Sequence, residues 1–107
     1  MAVKTISYLA KLIPDTRRRH THTRIKGEII SFVIQLEVFV DDKWLPVVRY
    51  DTAHGYAHKH LFHYRGEPEQ IPLFTCNCTE ALDFADADIK TGWEFYRERF
   101  LKEVEND

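Results

Sequence analysis

From Glu28 to Val40 the even positions Ile30, Phe32, Ile34, Leu36, Val38 and Val40 are all apolar, whereas the odd positions mix Ser31, Gln35 and Glu37 with Val33 and Phe39. A period of two sustained over this length predicts a long strand with one face on a core. Asp41-Asp42-Lys43 reads as a turn and Trp44-Leu45-Pro46-Val47-Val48-Arg49-Tyr50 as a second strand, so the two runs form a hairpin. Pro46 has no N–H to give a ladder, which predicts an edge or a bulge at that point. His58–Tyr64 reads as a third strand, Arg65-Gly66-Glu67 as a tight turn with Gly66 free to take a positive φ, and Gln70–Phe74 as a short fourth strand interrupted by Pro72.

The period then changes. Leu82, Ala85, Ile89, Trp93, Tyr96, Phe100 and Val104 recur at steps of three and four, the signature of a long amphipathic helix of about 25 residues. Asn77 and Glu80 precede it with capping-box spacing, and Gly92 is its one weak interior position. Such a stripe needs a face to cover, and the even side of the 28–40 strand offers one. The expected fold is α+β: a four-stranded antiparallel meander with a long C-terminal helix packed across one face. Residues 1–107 read as a single domain, divided into an N-terminal segment (1–26), the sheet (27–75) and the helix (77–105). Phe84, Phe95 and Leu101 lie off the main stripe and are expected to widen the buried face, with contact to a second subunit as the alternative.

The N-terminal segment is less legible. Val3, Ile6, Tyr8, Leu9, Leu12 and Ile13 fit a short helix as well as a strand, so its type stays open; Pro14 ends it. Arg17–Lys26 holds five Lys/Arg and two His with no acid, and reads as a solvated connector or an irregular edge. The sharper alternative is a phosphate-contacting patch built on Arg17, Arg18 and Arg19, although no aromatic is interleaved for base stacking.

Composition narrows the classes. With 107 residues, 44% hydrophobic and 30% charged, the chain suits one small core rather than a disordered segment. Cys76 and Cys78 are too close for an ordinary disulfide and lack the spacing of a zinc knuckle. No apolar run approaches the ~18–20 residues of a membrane span and no signal peptide opens the chain, so the expectation is a cytoplasmic protein with no membrane partner. The net charge of −2 hides an asymmetry: residues 1–66 carry eleven Lys/Arg against six Asp/Glu, and residues 67–107 carry four against eleven. That polarity suits an anionic partner for the first half, or simple attraction between the halves.

Candidate chemistry concentrates in Arg49–His63, which packs an arginine, two tyrosines, a carboxylate and four imidazoles into fifteen residues. Strand alternation puts His58 and His60 on one face and Lys59 on the other. One reading is metal-independent cleavage of a phosphodiester. His54, His58 and His60 are then the acid and base candidates, Arg49 and Lys59 the cations, Tyr50 or Tyr56 a donor or stacking ring, and Asp51 the group that orients an imidazole. This reading needs no cofactor. A zinc site is the alternative, with His58 and His60 joined by His54 or Asp51. The bland reading is that Arg49 pairs with Asp51 and that Gly55 only supplies a turn.

Val48-Arg49-Tyr50-Asp51-Thr52-Ala53-His54-Gly55 followed by His58-Lys59-His60 resembles the Arg-Tyr-Asp-x-x-His-Gly-x-x-His-x-His segment of the TumE-type toxin family of prokaryotic toxin-antitoxin modules. It also resembles small uncharacterised bacterial and archaeal proteins that carry an Arg-Tyr-Asp-Thr-Ala-His-Gly core. The resemblance is close over about fifteen residues and looser from Gly27 to Leu101. Arg49, Asp51, His54, Gly55, His58 and His60 match the pattern, whereas Arg17–Lys26 and the two cysteines lie outside it. It implies a toxin-like protein acting on RNA, with a cognate antitoxin as partner. The runner-up expectation is a non-enzymatic interaction protein, homodimeric through the helix or a sheet edge; a small zinc-binding domain stands third.

Overall fold

A computed structural model describes residues 2–52, 56–75 and 77–107. Six strands, β1 (Val3–Ile13), β2 (Thr16–Ile25), β3 (Glu28–Val40), β4 (Lys43–Asp51), β5 (His58–Leu61) and β6 (Glu69–Pro72), precede one helix, α1 (Cys78–Glu105). The strands form a single antiparallel sheet in chain order, β1-β2-β3-β4-β5-β6. The fold is thus α+β with a six-stranded open meander, not a four-stranded one. The two additional strands are the N-terminal segment.

The basic run 17–26 is therefore neither a connector nor an edge. It forms β2, paired on one side with β1 and on the other with β3. Both faces of β2 carry polar side chains, so it has no hydrophobic contrast for a period-two search to find, yet its charges are answered across the ladder and by the helix. Arg17 and Arg19 pair with Glu37 on β3, while Arg18 reaches Asp86 on α1.

Tight turns join the long strands. Lys26 and Gly27 (φ 50° and 78°) connect β2 to β3, and Asp41 and Asp42 (φ 50° and 64°) connect β3 to β4. Positive φ at both central residues matches the right-handed twist of the flanking strands, and Asp tolerates that region better than most side chains. Gly66 takes φ 103° in the β5–β6 connection, the conformation expected of it.

Bulges decide which side chains face the core. Thr23 pairs with Ser31 but Arg24 with Ile29, leaving Ile30 as the extra residue on β3. The alternation slips by one there: Ile29 is buried and Ile30 is exposed, the reverse of the regular even-position pattern. Further along β3, Leu36 pairs with Val48 and Glu37 with Pro46, so Val47 is the extra residue and Pro46 sits beside a bulge, where its missing N–H is tolerated. Val47 and Val48 are consequently both fully buried.

Helix α1 lies over β3 and β4. Its Ala81, Ala85, Ile89, Tyr96 and Phe100 pack on Phe32, Ile34, Leu36, Val38, Val48 and Tyr50, with Leu82, Trp93, Leu101 and Val104 half-buried at the margins. Asn77 caps it, accepting from Glu80 N at 2.8 Å. Leu101 does widen the buried face. Phe84 and Phe95 do not: they stay exposed, edging Tyr50 and Tyr96. Gly92 keeps the helix clear beneath Tyr96, whose ring lies 3.3 Å from where a Cβ would stand.

The charge asymmetry of the sequence becomes an attraction between layers, because the basic half builds most of the sheet and the acidic half the helix. Arg18–Asp86, Lys59–Asp88 at 3.7 Å and His63–Glu103 at 3.0 Å all cross from sheet side to helix. At the β1–β2 turn the polarity is reversed, with Arg97 of the helix gripping Asp15 through Nε (3.2 Å) and Nη2 (2.8 Å). That fork holds the Asp15 carboxyl below its usual range. Among the described residues no helix is long and apolar enough to cross a membrane.

Candidate functional site

Among the described residues no helix lies on the opposite face of the sheet, and across its middle runs a row of polar side chains. Their order follows from register. Arg17 lies opposite Glu37, Arg19 opposite Gln35, Gln35 opposite Arg49, Arg49 opposite His60, and Asp51 opposite His58. Side chains two residues apart share a face, so these pairings place all eight residues on one surface.

Hydrogen bonds tie the row together. Arg17 Nε (2.6 Å), Arg19 Nε (3.1 Å) and Gln35 Nε2 (2.6 Å) all donate to the Glu37 carboxylate, and Arg49 Nε donates to Gln35 Oε1 at 2.7 Å. Burial alone would push the Glu37 carboxyl up, but the three donors outweigh it and hold the group below its ordinary value. Arg17 lies over the Trp44 ring at 4.1 Å and Arg49 over Phe62 at 5.1 Å.

At the far end Asp51 stands between two imidazoles. Its Oδ1 is 3.2 Å from His58 Nε2 and its Oδ2 is 3.5 Å from His60 Nε2. The three side chains are only 7–11% exposed. His58 Nδ1 lies 3.2 Å from the Tyr56 carbonyl, and the two imidazole rings sit 4.6 Å apart. Burial holds the His60 imidazole below its usual pKa, against the opposing pull of Asp51. Beside Asp51 a hollow of about 280 Å³ opens, lined by Thr21, Ser31, Phe32, Val33 and Thr52.

Of the residues singled out from sequence, Arg17, Arg19, Arg49, Asp51, His58 and His60 are thus brought onto one face. Tyr50, Lys59 and Arg18 are not. Tyr50 and Lys59 point to the helix side, where both phenols of Tyr50 and Tyr96 donate to Asp88 and Lys59 donates to Tyr96 Oη at 2.7 Å. Burial, then Arg99, pushes the Lys59 pKa down. Arg18 joins a helix-side cluster in which His20 Nε2 and His22 Nδ1 are 2.7 Å apart and Tyr8 stacks on His20. His54 and Gly55 lie outside the described residues. Gln35, Glu37, Trp44 and Phe62 were placed on strands by the sequence but not singled out as site residues. The signal for Gln35 and Glu37 was present, as polar residues in phase with one another on the outward face of β3.

His63 is a separate feature. Its Nδ1 meets Glu103 at 3.0 Å and its Nε2 meets Glu69 at 2.7 Å, and these two carboxylates, Glu103 first, raise its pKa. A raised folded-state value means that the ion pairs stabilise the fold fully below the unfolded imidazole value, and that this stability is lost as pH rises through the folded one. His63→Gln is therefore expected to lower the urea midpoint relative to the parent at about pH 5.5, with the gap closing by about pH 9. The gap is small, because the ring is 30% exposed. A gap that widened toward pH 9 would contradict the assignment.

Fold and site define a sheet-and-helix domain whose second sheet face, free of helix among the described residues, carries three guanidiniums and an Asp-His-His group. The chain belongs to the family described as a domain of unknown function (DUF7718), whose profile it matches over residues 1–106. No curated protein and no solved structure matches it.

Proposed function

We propose that the uncovered face binds RNA, and that Asp51, His58 and His60 act on a phosphodiester held there by Arg19 and Arg49. The observation that carries this reading is the alignment of three guanidiniums with the Asp-His-His group on one uncovered face. Arg17, Arg19 and Arg49 each use Nε within the sheet, which leaves their terminal nitrogens as donors for phosphate oxygens. Trp44 and Phe62 supply flat rings beside two of them, the aromatic component of a single-strand surface. Resemblance to TumE-type toxins extends the proposal: a toxin acting on RNA, restrained by an antitoxin that covers this face.

Fluorescence anisotropy with labelled single-stranded RNA tests it. Parent protein is expected to bind more weakly as salt rises, and Arg19→Ala/Arg49→Ala to bind about tenfold more weakly with a salt slope shallower by roughly 1–2. His58→Ala/His60→Ala should retain most of the binding and lose any cleavage of the labelled strand. Equal affinity and equal slope for the arginine variant and the parent would sink the proposal.

A further inference from the structure

We infer that Asp51, His58 and His60 form a site for one divalent transition-metal ion of the zinc class, held by a carboxylate oxygen and two imidazole Nε2 atoms.

Backbone pairing builds the site. Asp51 and His58 are direct partners on β4 and β5, and His60 is the diagonal neighbour two residues on. One donor atom from each residue falls within 4.8 Å of the others. The Asp51 carboxylate lies 3.2 Å from His58 Nε2 through Oδ1 and 3.5 Å from His60 Nε2 through Oδ2, close to the spacing of about 3.3–3.4 Å between donors on a tetrahedral zinc ion at ~2.0–2.1 Å, so a small rotation of the carboxylate brings one oxygen to both imidazoles. Two imidazoles with one carboxylate suit zinc and its neighbours in the first transition row, and these three ligands from the described residues leave a fourth position of a tetrahedral ion to a further donor or a water.

The His58 tautomer supplies an independent reason. A carbonyl oxygen only accepts, so the contact with Tyr56 O places the proton on Nδ1. A backbone carbonyl on the far ring nitrogen is also the usual means of orienting a ligating histidine. Among the described residues the other histidine clusters lack this convergence. Glu69 and Glu103 engage opposite nitrogens of His63, and His20 and His22 lie beside Arg18, whose charge repels a cation.

Binding of zinc is measured without RNA, so this inference and the RNA reading fail separately. Protein made without a histidine tag is stripped with EDTA and titrated with Zn²⁺ against a chromogenic chelator. One equivalent is expected, with His60→Gln, His58→Ala and Asp51→Asn each weakening it at least about tenfold and His63→Gln leaving it unchanged. Loading the unaltered chain with Co²⁺ should give the visible absorption of a four- or five-coordinate ion, a readout that depends on no variant's folding. Less than a tenth of an equivalent, a six-coordinate cobalt spectrum, or parent-like affinity in His60→Gln would overturn the site.

Discussion

Phe100→Ala is expected to destabilise the fold by about 3–5 kcal/mol, the cost of deleting a large side chain from a close-packed interior. Phe100 is 1% exposed and sits where the last turns of α1 meet the sheet, with Tyr64 edge-on to it at 6.0 Å. Neighbouring contacts depend on the same seating. Glu103 accepts from Tyr64 N at 3.0 Å and Arg99 donates to Phe62 O at 2.7 Å, so the helix holds the segment that follows β5. A cavity at Phe100 therefore loosens the support beneath Phe62 and His60 as well as the core. Urea denaturation should place the variant's midpoint far below the parent's at an unchanged slope. A loss under about 1 kcal/mol would mean that the site collapses around the truncation instead of leaving a void.

The second large effect is expected at Asp88, whose carboxylate is the shared acceptor for Tyr50 and Tyr96 and lies 3.7 Å from Lys59. Asp88→Ala strands two phenols and takes the countercharge from Lys59, and leaving buried donors unpaired costs more than a hydrogen bond contributes. We expect a loss of about 2–3 kcal/mol, near the lower end for a broken buried pair, because the Asp88 side chain is 29% exposed and water can reach it. Tyr96→Phe removes one donor to Asp88 and the phenol oxygen that Lys59 donates to, but keeps the Asp88 carboxylate for Tyr50 and beside the Lys59 ammonium, and should cost less, about 1–1.5 kcal/mol. Unfolding free energies of the two variants, measured side by side, test the asymmetry; equal losses would refute it. Tyr50 itself is fully buried, which explains how a residue that sequence places beside the candidate chemistry serves the core instead.

Much of this architecture was legible locally. The β3–β4 hairpin, the two short strands after it, the positive φ of Gly66 and the helix with its Asn77 cap are each set by residues near in sequence: alternation, turn chemistry, and a stripe at steps of three and four. Alternation also placed His58 with His60, and Arg49 with Asp51. It equally put Lys59 on the other face of β5, and the structure carries Lys59 away to Asp88 and Tyr96.

Other features depend on partners far along the chain. Whether residues 3–25 are helix, strand or connector turns on β3, since β2 has polar side chains on both faces and becomes a strand because Glu37 and Asp86 answer its arginines from opposite sides. Bulges at Ile30 and Val47 reset which side chains are buried, and a bulge is a property of a strand pair, invisible in either strand alone. Periodicity could say that Asp51, His58 and His60 were available to one face; the β4–β5 register, with Asp51 opposite His58, brought their donor atoms within reach of a single ion. Local pattern thus sets the kinds and faces of the elements. Long-range pairing sets the distances on which any chemistry at this site depends, because contacts between strands are made by residues that the chain itself keeps apart.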